Sequence, residues 1–263
     1  MKTVLAWLIM VAPVWGGQID AADLADLPAA DVVIVGEVHD NPVHHQNQAF
    51  AVAAISPTAL VFEMLTPDQA ARVTAANRAD PGLGALLGWE AEGWPDFAMY
   101  QPIFTASPTA AIYGAAVELG GLRDVDSVAA LLPDPRFGLA MALAPADQAA
   151  READQMAAHC GALPVDLLPY MVAVQRLRDA TMAAKALEAL AETGGPVVVI
   201  TGTGHARRDQ GVPAALALAA PQVRVLSIGQ LEGDPGATPP YDLWLITDPI
   251  PREDPCAAFK AGD

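Results

Sequence analysis

Short apolar runs separated by helix-like segments set the first limit on how this chain can fold. "DVVIVGE" (residues 31–37) is β-branched, apolar and bounded by glycine, the composition of a strand. "ALVFEML" (59–65) is a second such run, and "PVVVITGTGH" (196–205) is the clearest. "AAIYGAAVEL" (110–119), "VRVLSIGQ" (223–230) and "YDLWLIT" (241–247) add three more. Between them lie helix candidates: "HHQNQAFAVAAI" (44–55), "TPDQAARVTAANR" (66–78), "PADQAAREADQMAAH" (145–159) and a long run over 165–192. Thr66 and Pro67 suit an N-cap and a first helical position. Strands alternating with helices predict an α/β fold, a mainly parallel sheet flanked by helices. The long helical stretch before the clearest strand is an insertion able to form a cap. No internal repeat or low-complexity linker divides the chain, so residues 18–263 read as one domain.

At 263 residues and 53% hydrophobic, the chain is long enough for a substantial core. A net charge of −17, with 14 scattered basic residues, excludes a nucleic-acid surface. The N-terminus "MKTVLAWLIMVAPVWGGQ" has one lysine, an apolar run over 4–14 and then small residues. That is the layout of a signal peptide over residues 1–17, implying export to the periplasm or cell surface. A retained membrane anchor is the alternative. Two cysteines, Cys160 and Cys256, permit one disulfide in an exported protein; two buried thiols fit the sequence equally.

Chemistry-bearing residues collect where strands end. The first strand delivers Glu37, His39 and Asp40, the second Glu63, and the clearest Thr201, Thr203 and His205. Ligands of open parallel sheets bind outside the carboxyl ends of strands. Neighbouring strands lie roughly 5 Å apart, so these groups can share one ligand. Imidazole with carboxylate suits a divalent metal ion, or an acid–base pair acting on an ester or amide. "GEVH" and "GTGH" share the form Gly-x-x-His, with glycine expected to let the chain turn and aim the histidine. Bland roles exist for each: His44 and His45 as solvated first-turn residues, Glu63 as a cap, His205 as a satisfied core histidine. His44 and His45 are expected at the rim of the site.

"GEVHDNPVHHQNQ" (36–48) resembles the signature of the ChaN-like proteins of the haem-binding-uptake/Tiki superfamily. "LGWEAEGWPDFAMYQPIF" (87–104), "HCGALPVDLLPYMVAVQRLRDATMA" (159–183) and "GTGHARRDQGVP" (202–213) resemble further segments of that family, in its order. The resemblance implies a haem-binding protein of bacterial iron uptake. Tyr100 would then be a candidate axial ligand, His44 and His45 would be cofactor-binding, and Arg207 or Arg208 would partner the propionates. Trp89, Trp94, Phe97, Tyr100 and Phe104 could floor a porphyrin pocket, or be core. The resemblance also implies dimerisation that pairs haems, an outer-membrane uptake partner, and a structural role for Cys160, bridged to Cys256. The wider superfamily implies the alternative, a metal-dependent hydrolase of ester or peptide bonds. Glu37, His39, Glu63 and His205 would be its catalytic residues and divalent-metal ligands, with Thr201 or Thr203 contacting substrate. Whether the chain catalyses a reaction is left open by its sequence.

Overall fold

The structure, a computed structural model, describes residues 16–254, 256 and 257. The apolar stretch over 4–14 lies outside them. Seven strands form one sheet: β1 (Gly17–Gln18), β2 (Val32–Glu37), β3 (Ala59–Phe62), β4 (Ala111–Gly114), β5 (Val197–Gly202), β6 (Val225–Glu232) and β7 (Leu243–Thr247). Their order is β1-β7-β6-β2-β5-β3-β4, and every pairing is parallel. The helices are α1 (Pro42–Ile55), α2 (Pro67–Ala71), α3 (Leu83–Leu87), α4 (Phe97–Ala106), α5 (Val125–Ala129), α6 (Pro145–Ala158), α7 (Leu168–Thr193) and α8 (Val212–Ala219). The expected α/β architecture is present.

β2 and β5 pair in the middle of the sheet, and every residue of both is buried. Their unbroken apolar runs follow from having helices on both faces. Val33, Val35, Leu60, Phe62, Val198 and Ile200 point towards α1 and α4. Val32, Ile34, Ala59, Val61, Val197 and Val199 point towards α7 and α8. Burying each of the valine, isoleucine, leucine and phenylalanine side chains among them contributes about 1.5–3 kcal/mol. Alanines of α7 at 173, 180, 183 and 186 let that helix lie close on the sheet.

The expected helix over 66–78 is much shorter. Thr66 caps it reciprocally with Gln69, but it ends at Ala71. Asn77 accepts from the Thr74 N–H and donates to the Arg72 carbonyl, so its amide competes with the helix for backbone partners. No helix among the described residues is long and apolar enough to cross a membrane.

The inserted segment between β4 and β5 carries α5, α6 and α7. α6 has no buried residue. Just past its end, Cys160 is bonded to Cys256 in the C-terminal tail. In the same tail, Arg252 forks onto Asp40, which follows β2, and onto Glu232 at the end of β6.

Candidate active site beneath α6

β2 ends on Glu37 and β5 on Gly202, in register with one another. This places Glu37, His39, Glu63 and His205 around one sheet edge. The glycines of the two Gly-x-x-His segments turn out to be reciprocal spacers, and neither has a positive φ. A Cβ on Gly36 would stand 2.7 Å from Thr203 Oγ1, and one on Gly202 would stand 2.8 Å from His39 Nε2. Each glycine makes room for the other segment, rather than turning the chain as expected. Gly202→Ala is expected to push His39 off its present position at a cost of about 1–3 kcal/mol. Urea unfolding measures the cost and NMR titration follows His39. A His39 resonance that titrates as in the wild type would contradict this.

The carboxylates and imidazoles form two clusters. In the first, His39 Nδ1 lies 2.8 Å from Glu37 Oε1, and the Tyr100 hydroxyl donates to the same oxygen at 2.7 Å. His45 Nδ1 stands 3.1 Å from Glu37 Oε2. Burial works against charge on Glu37, but the bonds from His39 and His45 prevail and hold its carboxyl below the usual range. Burial likewise opposes a charged His39, yet the Glu37 carboxylate, with Glu63 behind it, raises its pKa.

The second cluster is an ion triad. His205 Nδ1 lies 2.6 Å from Asp179 Oδ1, and its Nε2 lies 3.3 Å from Glu63 Oε1. Glu63 Oε2 accepts from the Thr201 hydroxyl at 2.6 Å and the Gly202 N–H at 2.8 Å. Burial alone would strip the proton from His205; Glu63 and Asp179 overcome it and push the pKa up to about 10. Glu63 is held far below the usual carboxylate range by His205, against its own burial. Burial raises Asp179, with His205 opposing. The amide of Gln175 lies 3.0 Å from His205 Nδ1.

Asp179 and Gln175 were not among the residues read from the sequence. They stand four apart on α7, so they share a face. A polar pair on the otherwise apolar buried stripe of that helix is the signal that could have found them.

Several expectations are corrected by these positions. Tyr100 has no exposed atom: it packs on His45 and Trp89, and its hydroxyl is engaged by Glu37. Burial and the neighbouring carboxylate push its pKa up, away from the phenolate an iron would need. In this structure it supports Glu37 from behind and does not line the cavity beneath α6. Trp89, Phe97 and Phe104 are core with it, and only Trp94 is partly exposed.

His44 and His45 are fully buried, not at the rim. His44 accepts from the Val38 N–H and donates to Thr247 Oγ1, and burial lowers its pKa to about 4. His45 Nε2 donates to the His39 carbonyl. Neither presents a nitrogen to a cofactor. The Thr201 hydroxyl is held by Glu63, and that of Thr203 both donates to and accepts from the Gln230 backbone, so both hydroxyls are already engaged within the protein, although Thr203 lines the cavity.

Glu37, His39, Glu63 and His205 do not form a metal site either. Among the described residues, no three His, Cys, Asp or Glu side chains are arranged to hold an ion. The physical reason lies in the pairing: the carboxylate oxygens already face imidazoles, a hydroxyl or an N–H.

Above both clusters opens a cavity of about 790 Å³. Glu37, His39, Asp179 and His205 form its floor, while Arg151, Gln155 and His159 of the α6 segment form its roof. Val172, Gln175 and Arg207 complete the walls. About one third of the His39 side chain is exposed. Arg207 pairs with Asp209 at 2.7 Å and stands 3.6 Å from Asp154. Arg208 lies outside the cavity lining, on Asp242.

Comparison with known proteins fits this fold. No curated protein sequence matches the chain significantly. A solved structure described as cofacial heme binding to ChaN of Campylobacter jejuni superposes with a TM-score of 0.60. The alignment covers 85% of this chain and 89% of that one at 17% identity, a likeness of fold. The type III effector HopBA1 aligns over 87% of this chain and 92% of its own, at 11% identity and a TM-score of 0.42. The family described as "Haem-binding uptake, Tiki superfamily, ChaN" matches residues 24–216, from before β2 into α8 and through every residue of the two clusters. The chain belongs to that ChaN family of haem-binding uptake proteins.

Proposed function

We propose that this protein is an exported haem-binding protein of bacterial iron uptake, with haem seated in the cavity beneath α6. The observation that carries the proposal is the cavity itself, in a chain of this family. Its volume falls within the roughly 300–1,000 Å³ usual for ligand sites. Haem supplies an iron centre that takes an axial donor, and two propionates that take cations. The lining offers imidazoles from His39 and His159, guanidinium groups from Arg151 and Arg207, and apolar surface from Val172, Ala157 and Ala158. Export is supported by the N-terminal sequence and by the Cys160–Cys256 bond, which suits an oxidising compartment. A homodimer and an outer-membrane uptake partner belong to the same proposal; cofacial haems in the Campylobacter protein support the former.

Haemin titration of the full chain tests it. A saturable, shifted Soret band is expected. Tyr100→Phe is expected to leave that band in place, because the hydroxyl does not reach the cavity. A non-saturating wild-type response would overturn the haem reading.

The ion triad favours a second reading. Burying Glu63, His205 and Asp179 together carries a desolvation cost that haem binding does not demand, and perturbed groups of this kind concentrate at catalytic sites. The alternative is an acid–base hydrolase that uses no bound metal, with His39 or Glu37 accepting a proton from water and His205 stabilising negative charge. Ester hydrolysis that is present in the wild type and lost in His39→Ala would support it. Equal rates in the two would remove it.

A further inference from the structure

We propose that a small side pocket next to the cavity, lined by Arg178, Thr66 and Trp94, is a carboxylate-binding subsite for a substrate that reacts at His39. The proposal rests on the hydrolase reading and names its substrate class: an ester or amide whose acyl part ends in a carboxylate. In that reaction water adds to the carbonyl and the bond to the leaving oxygen or nitrogen breaks. His39 takes the water's proton and passes it to the leaving atom, so no other reactant is needed. Three observations carry the subsite.

The first is an unspent cation. Acidic residues outnumber basic ones 31 to 14 in this chain, so a guanidinium without a partner is unexpected. Among the described residues, every other arginine and lysine meets a carboxylate or a carbonyl. Arg178 meets neither, and it lines the pocket. Its planar fork suits a carboxylate, which accepts two parallel N–H bonds.

The second is the balance of donors and acceptors. Thr66 Oγ1 accepts from the Gln69 N–H at 3.2 Å, and its own hydroxyl hydrogen has no acceptor among the described residues. Glu63, also in the lining, is spent: one oxygen faces His205, and the other accepts from Thr201 and Gly202. Two donors are thus left for a ligand that only accepts. Glu92 is exposed in the same lining and brings one negative charge, which favours a singly charged carboxylate over a doubly charged phosphate. At about 220 Å³ the pocket is below the roughly 300–1,000 Å³ of a whole ligand site, so it fits one end of a molecule.

The third is placement. On α7, Gln175 and Asp179 line the cavity, while Arg178 and Met182 line the side pocket. Each pair is four apart, so the helix turns two adjacent faces to two adjacent spaces. Trp94 lines the pocket, and its ring packs on that of His39 with centroids 5.1 Å apart. His39, about one third exposed, stands at the boundary. A molecule with its carboxylate on Arg178 can therefore lay its carbonyl near His39.

The test compares mono-p-nitrophenyl adipate with p-nitrophenyl hexanoate, in which a methyl replaces the terminal carboxylate, on full-chain wild type, Arg178→Gln and Glu92→Gln. The wild type is expected to favour the adipate ester in kcat/KM. Arg178→Gln should narrow that preference roughly 10–100-fold, mainly through KM, the loss expected of hydrogen bonds to a charged group. Glu92→Gln should widen it by removing the like charge. Opposite signs in two exposed residues separate recognition from a general loosening of the fold. No preference in the wild type, or one that Arg178→Gln leaves unchanged, overturns the subsite and leaves the hydrolase reading standing. If neither ester is cleaved, the hydrolase reading fails and the subsite is read from tryptophan emission during titration with adipate. A saturable change that hexanoate does not give, and that Arg178→Gln and Trp94→Phe abolish, retains the carboxylate site. No change overturns it.

Discussion

His205→Ala is expected to be the most damaging single substitution at the site, destabilising the fold by about 3–5 kcal/mol. His205 is buried between Asp179 at 2.6 Å and Glu63 at 3.3 Å, while Arg151 acts on Asp179 and His39 on Glu63 only through space, without a direct bond. Removing it leaves two acidic groups facing each other under α7. Breaking a buried pair costs this much because the charge left behind has neither water nor a partner. Urea unfolding of the purified chain gives the number. A loss below about 1 kcal/mol would mean that the carboxylates are already protonated or wet, and that the triad is not ionic.

The second large effect is alkaline. His205 holds its proton up to about pH 10 when folded, against an ordinary value of 6.5. A group whose folded pKa is raised contributes stability in full below its unfolded pKa and loses it as pH rises through the folded one. Stability from this residue should therefore be complete below about pH 6.5 and fall progressively towards pH 10. Glu63 and Asp179 are the charges facing it, with Gln175 against the ring and His39 nearby. Unfolding free energies measured from pH 6 to 10 should decline in the wild type. The decline should be shallower in His205→Gln, where nothing titrates at that position. Parallel curves would show that His205 is neutral in the native state.

The sheet was legible in the sequence because its central strands are uniformly apolar, and such runs have one common solution, burial on both faces. The strand-end residues were legible for a related reason. Once β2, β3 and β5 are parallel neighbours, Glu37, Glu63 and His205 must lie along the same edge. What could not be read was which polar atoms already have partners. Nothing local in "HHQNQ" says that one His44 nitrogen meets the Val38 N–H while the other meets Thr247, some 203 residues away. Tyr100 misled for the same reason: an aromatic hydroxyl in a promising segment looks the same whether it faces a porphyrin or Glu37. Asp179 was missed because its meaning depends on how α7 is rotated over the sheet, which no residue near it specifies.

The C-terminal tail gives the cavity a maximum width. One short stretch of chain holds Arg252 on Asp40, next to His39 on the floor, and Cys256 on Cys160, next to His159 on the roof. Four residues of chain reach at most about 14 Å. Floor and roof are thus leashed to each other, and a guest that needs a wider gap can enter only if the arginine lets go, since the sulfur link does not. Salt would loosen the leash at one end and a reductant at the other. Proteolysis anywhere between the two anchors would leave both contacts in place but sever the chain that joins them, leaving the sheet intact and the cavity without a fixed gauge.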